Sequence, residues 1–248
     1  MRGRLPIAGW VSMGLACTAG AVSAQQTEET VRGLVRAVDD ALISTELNAR
    51  ILKITRREGE IFTKGEMLIM FDCRKYKTEL AAARAEQQFN RIAFENSVEL
   101  DKRNAIGRMD VEQNRARYDK ARAQAETLAA QVDECTISAP FDGRIGEMRA
   151  KTYETSKPGE PLMRLVDMDH LEIELIVPSA WLRWIRPGLA FQVTIDETAT
   201  LHNATVQRIG ATVDSVSQTV KIMAAFTENA RDILPGMSLT ADVRQQEP

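Results

Sequence analysis

A short sequence pattern occurs twice in this chain, and the two copies keep the same spacing. Five positions 94 residues apart carry identical residues, namely Arg50 and Arg144, Ile51 and Ile145, Gly65 and Gly159, Glu66 and Glu160, and Leu68 and Leu162. Each copy is typical of two short strands joined by a turn that ends in glycine, and neither copy can form a hydrophobic core alone. We therefore expect the copies to pack together, with Gly65 and Gly159 in turns that need positive φ.

The N-terminal residues 1–24 have the layout of a secretory signal peptide. Arg2 and Arg4 precede an apolar run over residues 5–19, which small residues and then a polar segment follow. We expect cleavage after Ala24 and export of the remaining chain to the periplasm.

Two alternatives exist for this N-terminal segment. It could remain as an inner-membrane anchor, although the apolar run is short for a span of about 20 residues. Lipidation at Cys17 is the other alternative, but the preceding residues 14–16 match a bacterial lipoprotein signal poorly. The rest of the sequence has no stretch long and apolar enough to cross a bilayer, so we expect the exported chain to be soluble or to be held at a membrane by partners.

Two cysteines, Cys73 and Cys135, remain after cleavage. Cys73 directly follows the first copy of the repeat, and Cys135 directly precedes the strand that leads into the second. In an oxidising compartment an even number of thiols favours a bridge. We expect a disulfide here that contributes about 4 kcal/mol. Two separate buried thiols are the alternative.

The segment between the cysteines predicts two long helices. Residues 74–134 contain no proline and a single glycine, Gly107, and consist mostly of strong helix formers. Helices of about 25 to 30 residues would form a rod roughly 40 to 45 Å long. The predicted seam consists of Tyr76, Leu80, Ala83, Gln87, Asn90, Phe94 and Val98 in the first helix, and Val111, Asn114, Tyr118, Ala121, Ala125, Leu128 and Val132 in the second.

The turn of this rod combines positive charge with apolar side chains, which is typical of a docking surface. Lys102, Arg103 and Arg108 surround Ile106 and Met109. The alternative is that Ile106 and Met109 only close the turn. The predicted partner contacts are Leu100, Arg103, Ile106, Gly107, Arg108 and Met109.

The C-terminal part alternates between apolar and polar residues, which predicts a small antiparallel barrel. The predicted strands cover residues 171–177, 191–195, 204–209, 220–226 and 239–243, and Gly236 lies in a structural turn before the last one. A short helix over residues 178–185, capped by Ser179, would close one end of the barrel. We expect at least one of Trp181 and Trp184 to be buried there; a partner-facing patch is the alternative.

Taken together, these motifs resemble the HlyD-like membrane fusion proteins, the periplasmic adaptor subunits of efflux and secretion pumps. The resemblance rests on residues 59–72, on residues 137–145 and on residues 234–237, and it covers nearly the whole chain after cleavage. It implies a mainly β fold with a lipoyl-like split sandwich (residues 31–72 and 136–168), an inserted α-helical, coiled-coil hairpin (residues 73–135) and a small antiparallel β-barrel (residues 169–246).

The resemblance also implies partners. These are an inner-membrane transporter, of the resistance-nodulation-division type, an outer-membrane channel, and further copies of the chain itself. Adaptors that dock end to end on the channel carry Arg, Leu and Ser around the hairpin tip, where this sequence has Asn96, Leu100 and Gly107. The chain also ends soon after Val243, which leaves little room for a membrane-proximal domain. From this and the different residues at the tip, we expect a minimal adaptor.

Other functions have less support in the sequence. We expect no enzyme activity and no cofactor, because His170 and His202 are isolated and no phosphate loop or catalytic set is recognisable. The net charge of −3 gives no support to a nucleic-acid partner. The methionines in strand positions, Met67, Met70, Met163, Met168 and Met223, favour core packing over a soft-metal site.

Two non-enzymatic alternatives share parts of this pattern. A lipoyl or biotin carrier presents its modified lysine on a tight turn between two half-motifs, where this chain has the long helical insert. A stand-alone periplasmic binding or chaperone module for a metal or a hydrophobic ligand is the other alternative.

Overall fold

The computed structural model describes residues 30–228 and 232–243, so the predicted signal peptide and Cys17 lie outside the described residues. Within these residues the fold is mainly β, with a closed six-stranded barrel, two smaller sheets and two α-helices. In chain order the elements are β1 Thr30–Ala37, β2 Asp40–Ser44, β3 Ile51–Ile54, β4 Ile61–Phe62, β5 Met67–Phe71, α1 Arg74–Lys102, α2 Arg108–Asp133, β6 Thr136–Ser138, β7 Gly143–Met148, β8 Pro161–Val166, β9 Leu171–Pro178, a 3-10 helix Ser179–Arg183, β10 Ala190–Ile195, β11 Leu201–Asp214, β12 Thr219–Phe226 and β13 Ser238–Asp242.

The two copies of the repeat form one sandwich with a shared core. One sheet has the order β2-β8-β7-β4, and the other has the order β3-β5-β6. The largest fully buried side chains of the shared core come from both copies: Leu47, Ile51, Phe62, Leu68, Ile69, Ile145, Met163 and Leu165. The prediction that the two copies pack together around one core is confirmed.

The backbone contacts between the copies obey the 94-residue offset of the sequence repeat. The N–H of Ile145 donates to Glu60 O at 3.0 Å, and the equivalent N–H of Ile51 donates to Glu154 O at 2.8 Å. Likewise, the pairing of Ile61 with Arg144 recurs as the isolated bridge between Arg50 and Thr155. The sandwich therefore has internal pseudo-twofold symmetry, in which each copy completes the sheet of the other.

The barrel consists of six strands in the closed order β1-β13-β10-β11-β12-β9. Five of them lie where the alternation predicts strands. The assignment of residues 31–72 to the sandwich is wrong for β1, which closes the barrel between β9 and β13.

The reason for this placement is the packing of β1. Val35 is fully buried in the barrel core, and its backbone exchanges hydrogen bonds with the turn at Gly236, which has φ +97°. A side chain at Gly33 would lie 2.5 Å from Leu175 Cδ2, so glycine allows β1 to lie close to β9.

The segment after β9 also differs from the prediction. Residues 179–183 form a 3-10 helix whose N-cap residue is Pro178, and no side-chain hydrogen bond caps it, so the assignment of Ser179 as the cap is wrong. The Arg186 guanidinium instead donates to the carbonyls of Leu182 and Ile185, both at 2.7 Å. Trp181 is buried in the barrel core with Trp184 partly buried against it, which confirms the expected burial.

The two α-helices lie between the two copies of the repeat in the sequence, and they pack against each other. α1 has 29 residues and α2 has 26 residues, and each is about 40 Å long at 1.5 Å per residue. Within the described part of the chain, neither helix has the length and apolar character that crossing a membrane requires.

Candidate partner-docking site

The base of the two-helix rod is fixed to the sandwich by a disulfide. Cys73 and Cys135 are bonded with an S–S distance of 2.05 Å and a Cα–Cα distance of 5.9 Å. Cys73 is the N-cap residue of α1, and Cys135 directly follows Glu134, the C-cap residue of α2. Next to the bond, the Phe71 N–H donates to Cys135 O at 2.9 Å. The bond therefore holds the start of α1 beside the end of α2 and the edge of the sandwich.

Polar contacts add to this attachment. The Arg74 side chain binds the Asp72 carboxylate with its Nε at 2.9 Å and its Nη2 at 2.6 Å. These bonds, with a smaller contribution from the Arg74 backbone N–H, lower the pKa of Asp72 to about 2. On the other side of α1, the Asn48 N–H donates to the Tyr76 hydroxyl at 3.2 Å.

The predicted seam residues are buried or half-buried, and Ser97, which the spacing did not predict, is buried with them. Leu80 and Ala83 of α1 are buried, as are Ala121 and Ala125 of α2. The remaining predicted seam residues are half-buried. Farther out, the rings of Phe94 and Tyr118 stack with centroids 6.2 Å apart and planes 6° apart. The seam uses one face of each helix, and the opposite faces are exposed.

The turn at the far end of the rod is a Schellman motif. The Ala105 N–H donates to Leu100 O at 2.9 Å, and the Asn104 N–H donates to Asp101 O at 2.8 Å. Asn104 has φ +55°, the left-handed conformation that ends a helix in this motif. Gly107 has an extended conformation and is the N-cap residue of α2. The chain thus reverses over residues 103–107.

The residues predicted as partner contacts surround this turn. Met109 is 82% exposed and Leu100 is 43% exposed, whereas Ile106 is half-buried. Arg103 and Arg108 are exposed, and Lys102 is paired with Glu99 at 2.7 Å. Met109 therefore does not close the turn by packing inside it. The end of the rod presents two exposed apolar side chains together with two exposed cationic ones.

Two features of the rod were missed by the sequence analysis. One is Asn104, the residue that ends α1; an asparagine at a helix end is a recognised signal for this role. The other is the exposed apolar pair Phe89 and Ile92 on the outer face of α1, with exposures of 68% and 46%. Their spacing of three residues places them on one helix face, outside the predicted seam.

The two histidines have local roles. His170 Nδ1 lies 2.7 Å from the buried carboxylate of Asp167, which also accepts the backbone N–H of Asp169 at 2.8 Å. The Asp167 carboxylate raises the pKa of His170. His202 Nε2 lies 2.9 Å from Thr200 Oγ1. In residues 30–228 and 232–243, no group of three or more His, Cys, Asp or Glu side chains is arranged to hold a metal ion.

Solved structures of other proteins have the same architecture over most of this chain. The membrane fusion protein Spr0693 from Streptococcus pneumoniae superposes with a TM-score of 0.70 at 14% identity, over 88% of this chain and 100% of that one. A MacA-MexA chimeric protein with the α-hairpin domain of Pseudomonas aeruginosa MexA gives 0.76 at 15% identity, over 88% and 82% of the two chains. The fold is that of a membrane fusion protein.

A third structure with this membrane fusion protein fold has a higher sequence identity. It is a candidate efflux transporter from Bacteroides eggerthii, with 25% identity and a TM-score of 0.70, over 86% of this chain and 67% of that one. The resemblance of the sequence motifs to the HlyD-like membrane fusion proteins is thus confirmed.

Sequence relatives of this membrane fusion protein fold are longer than the chain itself. An uncharacterised protein from Haemophilus influenzae is 26% identical over 207 residues, and the nodulation protein NolF from Rhizobium meliloti is 20% identical over 232 residues. These matches cover 83% and 88% of this chain, but only 54% and 63% of the relatives. No protein-family model matches the sequence.

Proposed function

We propose that this protein is a non-enzymatic periplasmic adaptor. It connects an inner-membrane transporter, of the resistance-nodulation-division type, to an outer-membrane channel for efflux or secretion. In this proposal residues 1–24 direct export, the lipoyl-like sandwich and the barrel contact the transporter, and the helical hairpin extends toward the channel. The free energy for transport comes from the transporter.

The exposed end of the rod is the observation that carries the proposal. Met109 and Leu100 lie about 40 Å from the disulfide, at the far end of two helices that the sandwich orients. An isolated rod does not need exposed apolar side chains at its turn. A docking surface does, because burial of such side chains drives association.

The relatives support the same role. A candidate efflux transporter and a protein named as a membrane fusion protein share the architecture over most of this chain. The first of these names describes efflux. A function in efflux or secretion is consistent with an exported chain that has a docking surface and no recognisable catalytic set.

Replacement of Leu100 by Asp tests the docking role. The substitution places a charge in the surface that the outer-membrane channel would cover. We therefore expect transport, measured in a strain that depends on this chain, to fall at least about tenfold. Gln124→Asp is the matched control, because Gln124 is also exposed and helical but lies away from the turn. We expect it to leave transport unchanged.

Folding has to be measured beside transport. Both variants should keep the far-ultraviolet circular dichroism and the thermal midpoint of the unmodified chain. Transport that persists unchanged in a folded Leu100→Asp variant would show that the end of the rod is not a docking surface. Crosslinking in intact membranes should also capture a transporter. A chain that captures none and instead binds a small ligand tightly would contradict the adaptor role.

A further inference from the structure

One end of the barrel lies away from the rest of the molecule. Residues 38–39 join β1 to β2 and residues 167–170 join β8 to β9, so the barrel end with these connections lies beside the sandwich. The opposite end, which we call the far barrel end, consists of Thr30, residues 178–190, residues 213–219 and Asp242.

The rod leaves the sandwich on the side opposite to the barrel. β2 begins at Asp40, next to the barrel, and ends at Ser44. The loop after it reaches the base of the rod, where the Asn48 N–H donates to the Tyr76 hydroxyl at 3.2 Å. Barrel, sandwich and rod therefore follow one another, and the far barrel end is the part of the barrel most distant from the rod. If the rod extends toward the outer membrane, as in the proposed function, this end faces the inner membrane.

The chain enters the barrel at this same end. β1 begins at Thr30, and five residues separate it from Ala24, the predicted cleavage site. A fully extended segment of that length spans about 18 Å. A signal peptide in the inner membrane would therefore hold the far barrel end within about that distance of its own C-terminal end during export.

The turn between β11 and β12 places apolar side chains at the far barrel end. Val216 is 94% exposed and Val213 is 45% exposed. The Asp214 carboxylate accepts the Val216 N–H at 2.9 Å, and the Ser179 N–H donates to Gln218 O at 2.8 Å. These bonds fix the turn beside the 3-10 helix, so that Val216 is presented to the surroundings without packing against the barrel.

The 3-10 helix and the residues after it carry aromatic and cationic side chains. Trp184 is half-buried, with its ring centroid 5.1 Å from that of Trp181. Arg183 and Arg186 are exposed. The Arg186 guanidinium donates three of its five N–H groups to backbone carbonyls, which leaves two for a further acceptor. Within the described part of the chain, no carboxylate forms an ion pair with Arg183 or Arg186.

Two carboxylates also lie at the far barrel end, and both have polar partners. Asp214 accepts N–H groups of its own turn, at 2.9 Å from Val216 N and from Ser217 N. Asp242 has a partner as well. The arginines are therefore the charged groups here that are available to an external ligand, and that ligand has to be anionic.

An anionic ligand that also covers apolar and aromatic side chains is a lipid bilayer. Arginine binds lipid phosphate groups, tryptophan is enriched at the boundary between headgroups and acyl chains, and exposed apolar side chains enter that boundary. Free phosphate would use the arginines and leave Val216 without a role. The entry of the chain at this end is a second reason to choose a membrane over a protein surface.

We propose that the far barrel end binds the surface of the inner membrane directly. Arg183 and Arg186 contact the phosphate groups of anionic lipids, and Val216 and Trp184 lie in the boundary region. The inference rests on the proposed function for the direction of the rod. The contact is peripheral and reversible, because so few side chains do not anchor a protein stably. It sets the orientation of the barrel on the membrane.

Sedimentation with vesicles tests the contact without any transporter. The purified full chain, after cleavage at Ala24, should bind vesicles of equal parts phosphatidylglycerol and phosphatidylcholine. Its partition coefficient should be at least about tenfold lower for phosphatidylcholine alone, and binding to the anionic vesicles should weaken as salt is added. A folded chain that does not bind the anionic vesicles would overturn the proposal.

Charge reversal tests the role of the arginines. Arg183→Glu should lower the partition coefficient on the anionic vesicles at least about tenfold. Arg117→Glu is the matched control, because Arg117 is also exposed but lies on the rod, and it should have a much smaller effect. Equal losses in the two folded variants would show that net charge, and not the far barrel end, determines binding.

The apolar contribution is tested at the tip of the turn. Val216→Asp should also lower the partition coefficient at least about tenfold, because the charge has to leave the boundary region. Val38→Asp is the matched control, since Val38 is 55% exposed but lies at the end of the barrel beside the sandwich. We expect little change from it. Equal effects would contradict insertion of Val216.

Tryptophan fluorescence separates lipid binding from binding of phosphate alone. Lipids brominated in their acyl chains should quench the fluorescence of the bound chain, and inorganic phosphate at the same phosphate concentration should neither quench it nor displace the vesicles. Trp184→Phe should remove most of the quenching, because Trp181 is buried in the barrel core. Quenching that persists in this variant, or displacement by inorganic phosphate, would overturn the proposal.

This proposal and the docking role of the rod can fail separately. Binding to anionic vesicles by a chain whose Leu100→Asp variant transports normally would leave the membrane contact intact and remove the docking role. Absent vesicle binding with a transport-defective Leu100→Asp variant would do the reverse.

Discussion

Gly65 donates its backbone N–H to the carbonyl oxygen of Ala139 at 2.8 Å, and the equivalent bond of the other half runs from Gly159 to Thr45 at 2.9 Å. Each bond crosses from one copy of the repeat to the other. Both glycines have positive φ, 79° and 75°. The turn conformation of each half is therefore part of what holds the two halves together.

Replacement of Gly65 by Val should destabilise the protein by about 1 to 2 kcal/mol, because a β-branched residue is strained at positive φ. No atom lies within 4 Å of the position that a Cβ would occupy, so the cost is conformational rather than steric. Urea unfolding measures it. Lys64→Val, in the same turn but without positive φ, should change the free energy of unfolding by less than about 0.5 kcal/mol. Equal effects of the two substitutions would show that φ is not the cause.

Removal of the disulfide should cost about 4 kcal/mol in free energy of unfolding, because the bond closes a loop of 62 residues in the unfolded chain. Urea unfolding of the Cys73→Ser, Cys135→Ser double variant measures the loss. The unmodified protein under reducing conditions should lose a similar amount, which separates loss of the bond from effects of the serines. A double variant as stable as the oxidised protein would contradict a stabilising bond.

Much of this architecture follows from the sequence. The 94-residue offset predicts the sandwich, and the long segment without proline predicts the helices. The partner of β1 could not be predicted, because alternation identifies a strand but not the neighbours with which it pairs. Gly33 and Val35 can be assigned to the barrel only from the structure, which shows how closely β1 approaches Leu175. At the end of the rod, the single glycine of the segment predicted the turn at Gly107. Asn104, which adopts positive φ and ends α1, was not predicted, although both residues form the turn.

Replacement of Gly33 by Ala tests the role of β1 in closing the barrel. The added Cβ would lie 2.5 Å from Leu175 Cδ2 and 2.8 Å from the Glu174 carbonyl oxygen, so β1 has to move. We expect a loss of about 1 to 3 kcal/mol in free energy of unfolding. Arg32→Ala, at the exposed neighbouring position of the same strand, should have little effect. A neutral Gly33→Ala variant would mean that β1 is not tightly packed against β9.

The ion pair at the base of the rod should make stability depend on acid pH. The pKa of Asp72 is lowered from 3.8 to about 2, mainly by the hydrogen bonds from the Arg74 side chain. A lowered folded-state pKa contributes stability above the unfolded value, and this contribution is lost as the pH falls from about 4 to about 2. Asp72→Asn should therefore reduce the fall in thermal midpoint between pH 5 and pH 2, measured by circular dichroism. An identical pH profile for the variant would contradict the assignment to Asp72.

Tyr153 occupies the repeat position that corresponds to Gly59, and both have positive φ, 74° and 82°. The tyrosine ring is 75% exposed, so its removal sacrifices little packing. Tyr153→Gly should therefore stabilise the protein by about 1 kcal/mol, because glycine adopts this conformation without strain. Tyr153→Ala is the matched control, since alanine removes the ring but keeps the strain, and it should give no such gain. Equal free energies of unfolding for the two variants would show that loss of the ring, and not relief of backbone strain, determines the effect.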